Sequence, residues 1–205
     1  ASQWQRSVST LAMLGNHLPR HCGIATFTAD LCDALDSEAV ALDCFVVAMN
    51  DVGVEHAYPP RVRFEVPQGD VEAYRRACDF LNVNAVDVVS VQHEYGIFGG
   101  QAGGHVLELL RGLRMPVVTT LHTILARPDP VQRAVMDALL GLSERVVVMS
   151  ADGSALPAWL SFDAATRTFS GTPGQSDVGA LDVSVIATDT GSLSVTDTFR
   201  LTTST

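Results

Sequence analysis

Residues 88–100 read VVSVQHEYGIFGG. A run of valines ends in His93, Glu94 and Tyr95, and a glycine-rich turn follows at once. Counted back to Val86, the apolar part predicts a strand over 86–92. Its hydrophobicity is continuous rather than alternating, which suits a strand covered on both faces in a parallel sheet. The polar triplet then falls at the carboxyl end of that strand. Gly96, Gly99 and Gly100 would let the backbone approach a ligand there.

Working outward, comparable runs at 8–14, 42–49, 62–66, 116–121 and 145–149 predict five more strands. Amphipathic segments lie between them. At 24–36, Ile24, Phe27, Leu31 and Leu35 recur at helical spacing. At 70–82, Asp70 can cap a helix whose stripe is Val71, Tyr74, Ala77, Cys78 and Leu81. Further helices are expected at 102–113 and 129–142, the second introduced by Pro128 and Pro130. Strands alternating with helices predict an α/β fold with a doubly wound parallel sheet.

From Ser150 onward the text changes. No histidine, tyrosine or cysteine follows, and TRTFSG (166–171), LDVSVIATD (181–189) and SVTDTFRLTT (194–203) show short alternation rich in Thr, Val and Phe. These are antiparallel β signals, punctuated by turns at GTPG (171–174) and DTGS (189–192). The reading is therefore two units, 1–150 and 151–205, with a small partial β-sandwich in the second. Trp159, Leu160, Phe162, Phe169, Val183, Val185, Ile186, Phe199 and Leu201 are its candidate core.

Composition narrows the functions. The chain has 205 residues, 47% hydrophobic and 18% charged, a globular rather than a disordered balance. Its formal net charge of −10 argues against a nucleic-acid surface, which needs clustered cations, while the complete lack of lysine reads as a composition bias without functional meaning. No apolar run reaches the roughly 18 residues of a membrane span. Cys22, Cys32, Cys44 and Cys78 have no CxxC spacing and read as reduced, apolar cysteines. Nothing in the first unit asks for export, so it reads as cytoplasmic, whereas a Ser/Thr-rich β tail suggests an extracellular setting.

In doubly wound sheets ligands sit beyond the carboxyl ends of the strands. Three stretches fall there. GNHLPRHCGIATFT (15–28) follows the first strand and brings Arg20, His21 and Gly23 to a helix start able to hold an anion. The stretch at 93–100 is the second. TTLHT (119–123) puts His122 beyond the next strand, so His93 and His122 are expected near each other at one rim. His93, Glu94 and His122 are residue types that suit zinc. Without an HExxH motif, and with His93 and Glu94 consecutive and therefore diverging, a zinc-dependent hydrolase at these residues is the lesser expectation. No GxSxG elbow supports a serine hydrolase.

The segments PRHCGIATFTADL, VVAMND, YPPRVRFEV, VDVVSVQHEYGIFGG, MPVVTTLHT and LSERVVVMS resemble, in order and spacing over residues 8–150, the N-terminal half of family 4-like glycosyltransferases of the GT-B fold. The resemblance implies a Rossmann-like, acceptor-side domain facing a cleft, and transfer of a hexose from a nucleotide sugar to a carbohydrate acceptor. It implies His93 near the transferred sugar as the catalytic-site residue. It also implies His122 and Glu94 against substrate, Gly23 beside the donor phosphates, and Arg20 as the nearby cation. No cofactor beyond the nucleotide-sugar substrate is expected. The family's C-terminal donor domain, with its paired glutamates and basic phosphate clamp, has no counterpart after Ser150, so activity of this chain alone is not expected.

LPAWLSFD, TRTFSGTP and VIATDTGSLSVTDTF resemble the latter part of a dystroglycan-type cadherin-like, immunoglobulin-like domain. Relatives of that kind use aspartates for calcium. Asp152, Asp163, Asp177, Asp182, Asp189 and Asp197 form no DxDxDG loop, however, so calcium is the lesser expectation. Two partial resemblances meeting near 150/151 read as a fusion of truncated modules. The competing reading is a non-catalytic carbohydrate- or protein-binding adhesion module.

Overall fold

The computed structural model describes residues 8–38, 41–125, 127–148, 157–163, 168–188 and 194–203. Six strands form one parallel sheet: β1 (Thr10–Gly15), β2 (Asp43–Asn50), β3 (Val62–Pro67), β4 (Val88–His93), β5 (Val117–Leu121) and β6 (Arg145–Val148). Their order is β3-β2-β1-β4-β5-β6. The chain winds one way from β1 to β3, then crosses back and continues from β4 to β6, so the direction reverses between β1 and β4. That is the topological switch point of a doubly wound sheet.

Four α-helices flank the sheet: α1 (Gly23–Glu38), α2 (Val71–Val83), α3 (Val106–Leu110) and α4 (Pro130–Leu142). Strand alternation sends Phe45, Val47 and Met49 into a large core with α2, α3 and α4, while Cys44, Val46 and Ala48 meet α1 on the other face. Sequence sets the helix starts. The Asp70 carboxylate accepts from Ala73 N–H at 3.2 Å. Asp129 accepts from the N–H groups of Val131 and Gln132, both at 2.8 Å, and Gln132 Oε1 accepts back from Asp129 N–H at 2.9 Å. That reciprocal capping box fixes α4 directly behind Pro130.

Two departures from the sequence expectations have local causes. The helix expected at 102–113 shrinks to a 3-10 turn at Gln101–Gly103 and the five residues of α3. Gly100 and Gly103 adopt φ of +81° and +74°, left-handed values that interrupt a helix. In α1 the buried seam is Ala25, Thr28, Ala29 and Cys32, one position around from the predicted stripe. The small residues sit tight on the sheet. Phe27, Leu31 and Leu35 are left half-buried along the edge of an open groove of about 390 Å³ over β1, β4, β5 and β6.

Beyond β6 the described strands are antiparallel. β7 (Leu160–Asp163) pairs with β8 (Thr168–Gly171), and β9 (Gly179–Thr188) pairs with β10 (Ser194–Thr203) over ten residues each. These are two separate two-stranded sheets. Of the core expected there, Leu160 is buried and Trp159 half-buried. The side chains of Phe162, Phe169, Val183, Val185, Ile186, Phe199 and Leu201 lie outside the described residues, as do Asp152 and Asp189. The α/β architecture with a small antiparallel β region after it is as the sequence leads one to expect.

Candidate functional site

The switch point lies where β1 and β4 end side by side. Gly15 is required there, because a Cβ at this position would lie 2.9 Å from Gln92 Cβ. The chain then turns through Asn16 to Cys22 before α1 begins. Asn16 Nδ2 donates to Cys22 Sγ at 3.3 Å, and the same sulfur accepts from Ala25 N–H at 3.4 Å, so Cys22 acts as a soft cap on α1. Gly23, the first helical residue, is exposed, and nothing lies within 4 Å of where its Cβ would be. The backbone at Gly23 is therefore approachable, the arrangement that favours an anion at a helix start, although Ala25 N–H is already taken by Cys22.

Arg20 is not a free cation at this rim. Its guanidinium bonds Asp51 Oδ1 at 2.9 Å, Asn16 Oδ1 at 3.2 Å and Met49 carbonyl at 3.4 Å. It thereby ties the first loop to the end of β2, and an incoming phosphate would have to share it with Asp51.

β4 runs one residue further than expected, so His93 is its last residue. The register pairs His93 with Leu121, and the His93 carbonyl accepts from His122 N–H at 3.0 Å. Because His122 is one step beyond the partner of His93, strand alternation sends their rings to opposite faces of the sheet. The two histidines are neighbours along the backbone without sharing a pocket.

His93 is fully buried on the α2–α4 face, its ring edge-on to Tyr95 at 5.0 Å and stacked on Phe98 at 6.0 Å. Neither ring nitrogen has a hydrogen-bond partner. Burial, with a smaller push from His122, depresses its pKa to about 3. His122 lies on the α1 face, where Phe27 meets its ring at 5.0 Å. Its Nε2 pairs with Gln92 Oε1 at 3.0 Å, while Gln92 Nε2 donates to Ser90 Oγ at 3.1 Å. That orientation leaves Gln92 Oε1 to accept, so His122 Nε2 carries the proton. Burial depresses its pKa to about 4. Both imidazoles are neutral at physiological pH.

The carboxylate of Glu94 accepts from Tyr95 N–H at 2.9 Å and from the Thr123 hydroxyl, not from His93. It braces the two strand ends against each other. Behind it, Gly99 N–H donates to Tyr74 Oη at 3.0 Å, and Tyr74 Oη donates to Gln68 carbonyl at 3.1 Å. A Cβ on Gly99 would meet Gln68 O at 1.7 Å, so this glycine serves a close backbone approach. Beside Tyr95 and Leu121 a small cleft of about 50 Å³ opens toward Ile124, Leu125, Arg133 and Met136.

Sequence reading singled out His93, Glu94, His122, Arg20 and Gly23, and all five lie at the carboxyl rim of the sheet. It did not single out Asn16, Gln92 or Thr123, the residues that hold them. A polar Gln92 inside an apolar strand was the available signal. Among the described residues no group of three or more His, Cys, Asp or Glu side chains is placed to hold a metal. No helix among them is long and apolar enough to cross a membrane.

The topology defines a doubly wound α/β protein whose sheet reverses direction between β1 and β4. The family described as Putative Ig domain matches residues 134–204, about a third of the chain. The first residues of that match fall in α4 and β6, which belong to the parallel sheet unit; the remainder covers the antiparallel strands. No curated protein matches the chain in sequence. Among solved structures it is similar to an alpha-glucosyltransferase in complex with UDP and a 13-mer DNA containing a central A:G mismatch. The identity is 11% and the TM-score 0.46, over 71% of this chain and 38% of that one. It is also similar to the homoserine dehydrogenase of S. aureus, with 14% identity and a TM-score of 0.34 over 68% of this chain and 32% of that one. The chain thus spans well under half the length of either. Likenesses this distant carry no argument about activity.

Proposed function

We propose that residues 1–150 form the acceptor-side half of a nucleotide-sugar-dependent hexosyltransferase, joined near 150/151 to an immunoglobulin-like β module. In this reading His93 serves the transferred sugar, Glu94 and His122 the acceptor side, and Gly23 the donor phosphates. The observation that carries it is His93. It is a fully buried, neutral imidazole with two unpartnered nitrogens at the end of the switch-point strand. A polar group is seldom left so without a reason. A neutral ring can donate and accept one hydrogen bond each, which suits a sugar hydroxyl. Tyr95 and Phe98 cover it, so contact with substrate requires the 94–99 turn to move aside.

Donor turnover by this chain alone is not expected. Leaving-group diphosphate needs concentrated positive charge. Arg20, the cation of the loop before α1, is already paired by Asp51. Titration of the full chain with UDP-glucose and GDP-mannose, with calorimetry and release of free nucleotide as readouts, tests this. The expected result is weak binding and no turnover, with binding restored when a donor-binding domain is supplied. Strong binding that His93→Ala and Gly23→Ala leave unchanged would overturn the site assignment.

A second reading is favoured by the immunoglobulin-domain match: an adhesion module in which the β region binds carbohydrate or protein. Binding of the full chain to immobilised glycans, undiminished by His93→Ala, would select it.

A further inference from the structure

Cys32 and Cys44 take no part in the rim. Cys32 lies in the middle of α1, fully buried, and Cys44 on β2 is 7% exposed. Their sulfurs are 3.6 Å apart, with the Cys44 thiol directed at Cys32. Met13, Val46 and Ala48 pack around them, with Leu11, Leu31 and Leu35 at the outer side. The same three leucines line the open groove over β1, β4, β5 and β6. Two thiols on two different elements are therefore held in contact, one leucine layer from a groove that small molecules can enter.

We propose that Cys32 and Cys44 are a modification site: a peroxide-sensitive dithiol that closes to a disulfide and pins α1 to β2. The two sulfurs share protons unequally. When Cys44 ionises, the Cys32 thiol turns to donate to it. This lowers the Cys44 pKa and pushes that of Cys32 up, with burial adding to the rise at Cys32. Cys44 is also the more exposed of the two, so it is the sulfur that is attacked first. Its thiolate takes one oxygen from hydrogen peroxide to give a sulfenic acid, and the other oxygen leaves as water with the protons supplied by solvent. The Cys32 sulfur then attacks the sulfenic sulfur, the S–S bond forms, and a second water leaves. In sum two thiols and one peroxide give one disulfide and two waters. A small peroxide suits the site because a bulky disulfide oxidant does not fit beside sulfurs this buried.

The pairing is selective because the other cysteines sit elsewhere. Cys22 is held by Asn16 at the start of α1, and Cys78 lies on the opposite face of the sheet, accepting from Asn82 Nδ2 at 3.5 Å.

The test is graded treatment of the full reduced chain with hydrogen peroxide, then thiol counting after denaturation, intact mass, and peptide mapping with a protease that cleaves after Asp and Glu, which puts Cys22, Cys32 and Cys44 on separate peptides. All four cysteines are free in the structure. The expected result is a fall from four thiols to two and a mass lower by two hydrogens. The peptide bearing Cys32 should be joined to the one bearing Cys44, and a dithiol reductant should restore both. In Cys32→Ala, Cys44 should instead accumulate as a sulfenic acid trapped by a cyclic dione. Should that variant not fold, the wild-type map alone decides. A thiol count that stays at four, or a cross-link formed through Cys22 or Cys78, overturns the proposal.

Discussion

His93 and His122 leave adjacent strands within one residue of each other, and the two faces of the sheet treat them differently. On the face covered by α2, α3 and α4, His93 is sealed in with no polar partner. On the face where α1 packs over β1 and β2, His122 keeps a hydrogen bond to Gln92 beside an open groove. The same side chain is thus a polar group without a protein partner in an apolar core on one face and part of a satisfied network on the other. The first arrangement opposes stability and the second supports it. If the unpaired ring is retained for a purpose, that purpose lies at the rim it faces.

The largest expected effects come from tightness on the closed face. Gly99→Ala would drive a Cβ to 1.7 Å from Gln68 O, which is backbone held by Tyr74. Neither partner can yield cheaply, so the loss should be about 3 kcal/mol or more. Urea unfolding checks it. A loss below about 1 kcal/mol would mean that the glycine turn is looser than the close approach implies.

The pH dependence that both histidines create is absent at neutral pH and accumulates only below it. Each has a folded pKa below its unfolded value of 6.5, so the unfolded chain binds more protons between the two. Stability is then full above about pH 6.5 and falls as pH drops, by about 1.4 kcal/mol per pH unit for each histidine. The His122 contribution ends near pH 4 and that of His93 continues toward pH 3. His93→Leu should flatten the curve, most clearly below pH 4. At pH 7 it should leave stability equal or slightly higher, since an unpaired polar group is removed. Urea midpoints from pH 7.5 to 3.5 for both proteins test this. An unchanged slope would place His93 in contact with water.

His122→Leu should behave in the opposite sense at pH 7. It leaves the Gln92 carbonyl oxygen buried without its donor, a loss of about 1–2 kcal/mol. Gln92→Leu in the same background should recover much of that, because both halves of the pair are then apolar. Failure of the double variant to recover would show that Phe27 packing, not the hydrogen bond, holds the ring.

These contrasts also mark what the amino-acid text carries. Continuous valine-rich runs placed all six parallel strands to within a residue or two, because burial on both faces leaves a signature that needs no partner to read. Asp70, Pro128 and Pro130 announced two helix starts for the same reason: a cap or a helix-opening proline is local. The rim residues were legible as a set because polar side chains ended apolar strands. Their grouping was not legible. Whether His93 and His122 share a pocket depends on register, and a single residue of offset decides it. Likewise the seam of α1 was misplaced because hydrophobicity favoured Phe27, Leu31 and Leu35, whereas close packing on β1 and β2 selected the smaller Ala25, Ala29 and Cys32.

The smallest expected change is the most discriminating for function. Gly23 opens α1 with nothing within 4 Å of its missing Cβ. Alanine is the better helix former, so Gly23→Ala should alter stability by only a few tenths of a kcal/mol, and upward. The same methyl group would stand where a phosphate must come to reach the first-turn N–H groups. A ligand held at this helix start should therefore bind at least several-fold more weakly to Gly23→Ala, while the unfolding midpoint stays put. Gly99→Ala cannot make that separation, because it disturbs the fold and the rim together. If donor or inorganic phosphate binds wild type and Gly23→Ala equally, the anion does not sit on α1, and the open glycine is a feature of the turn alone.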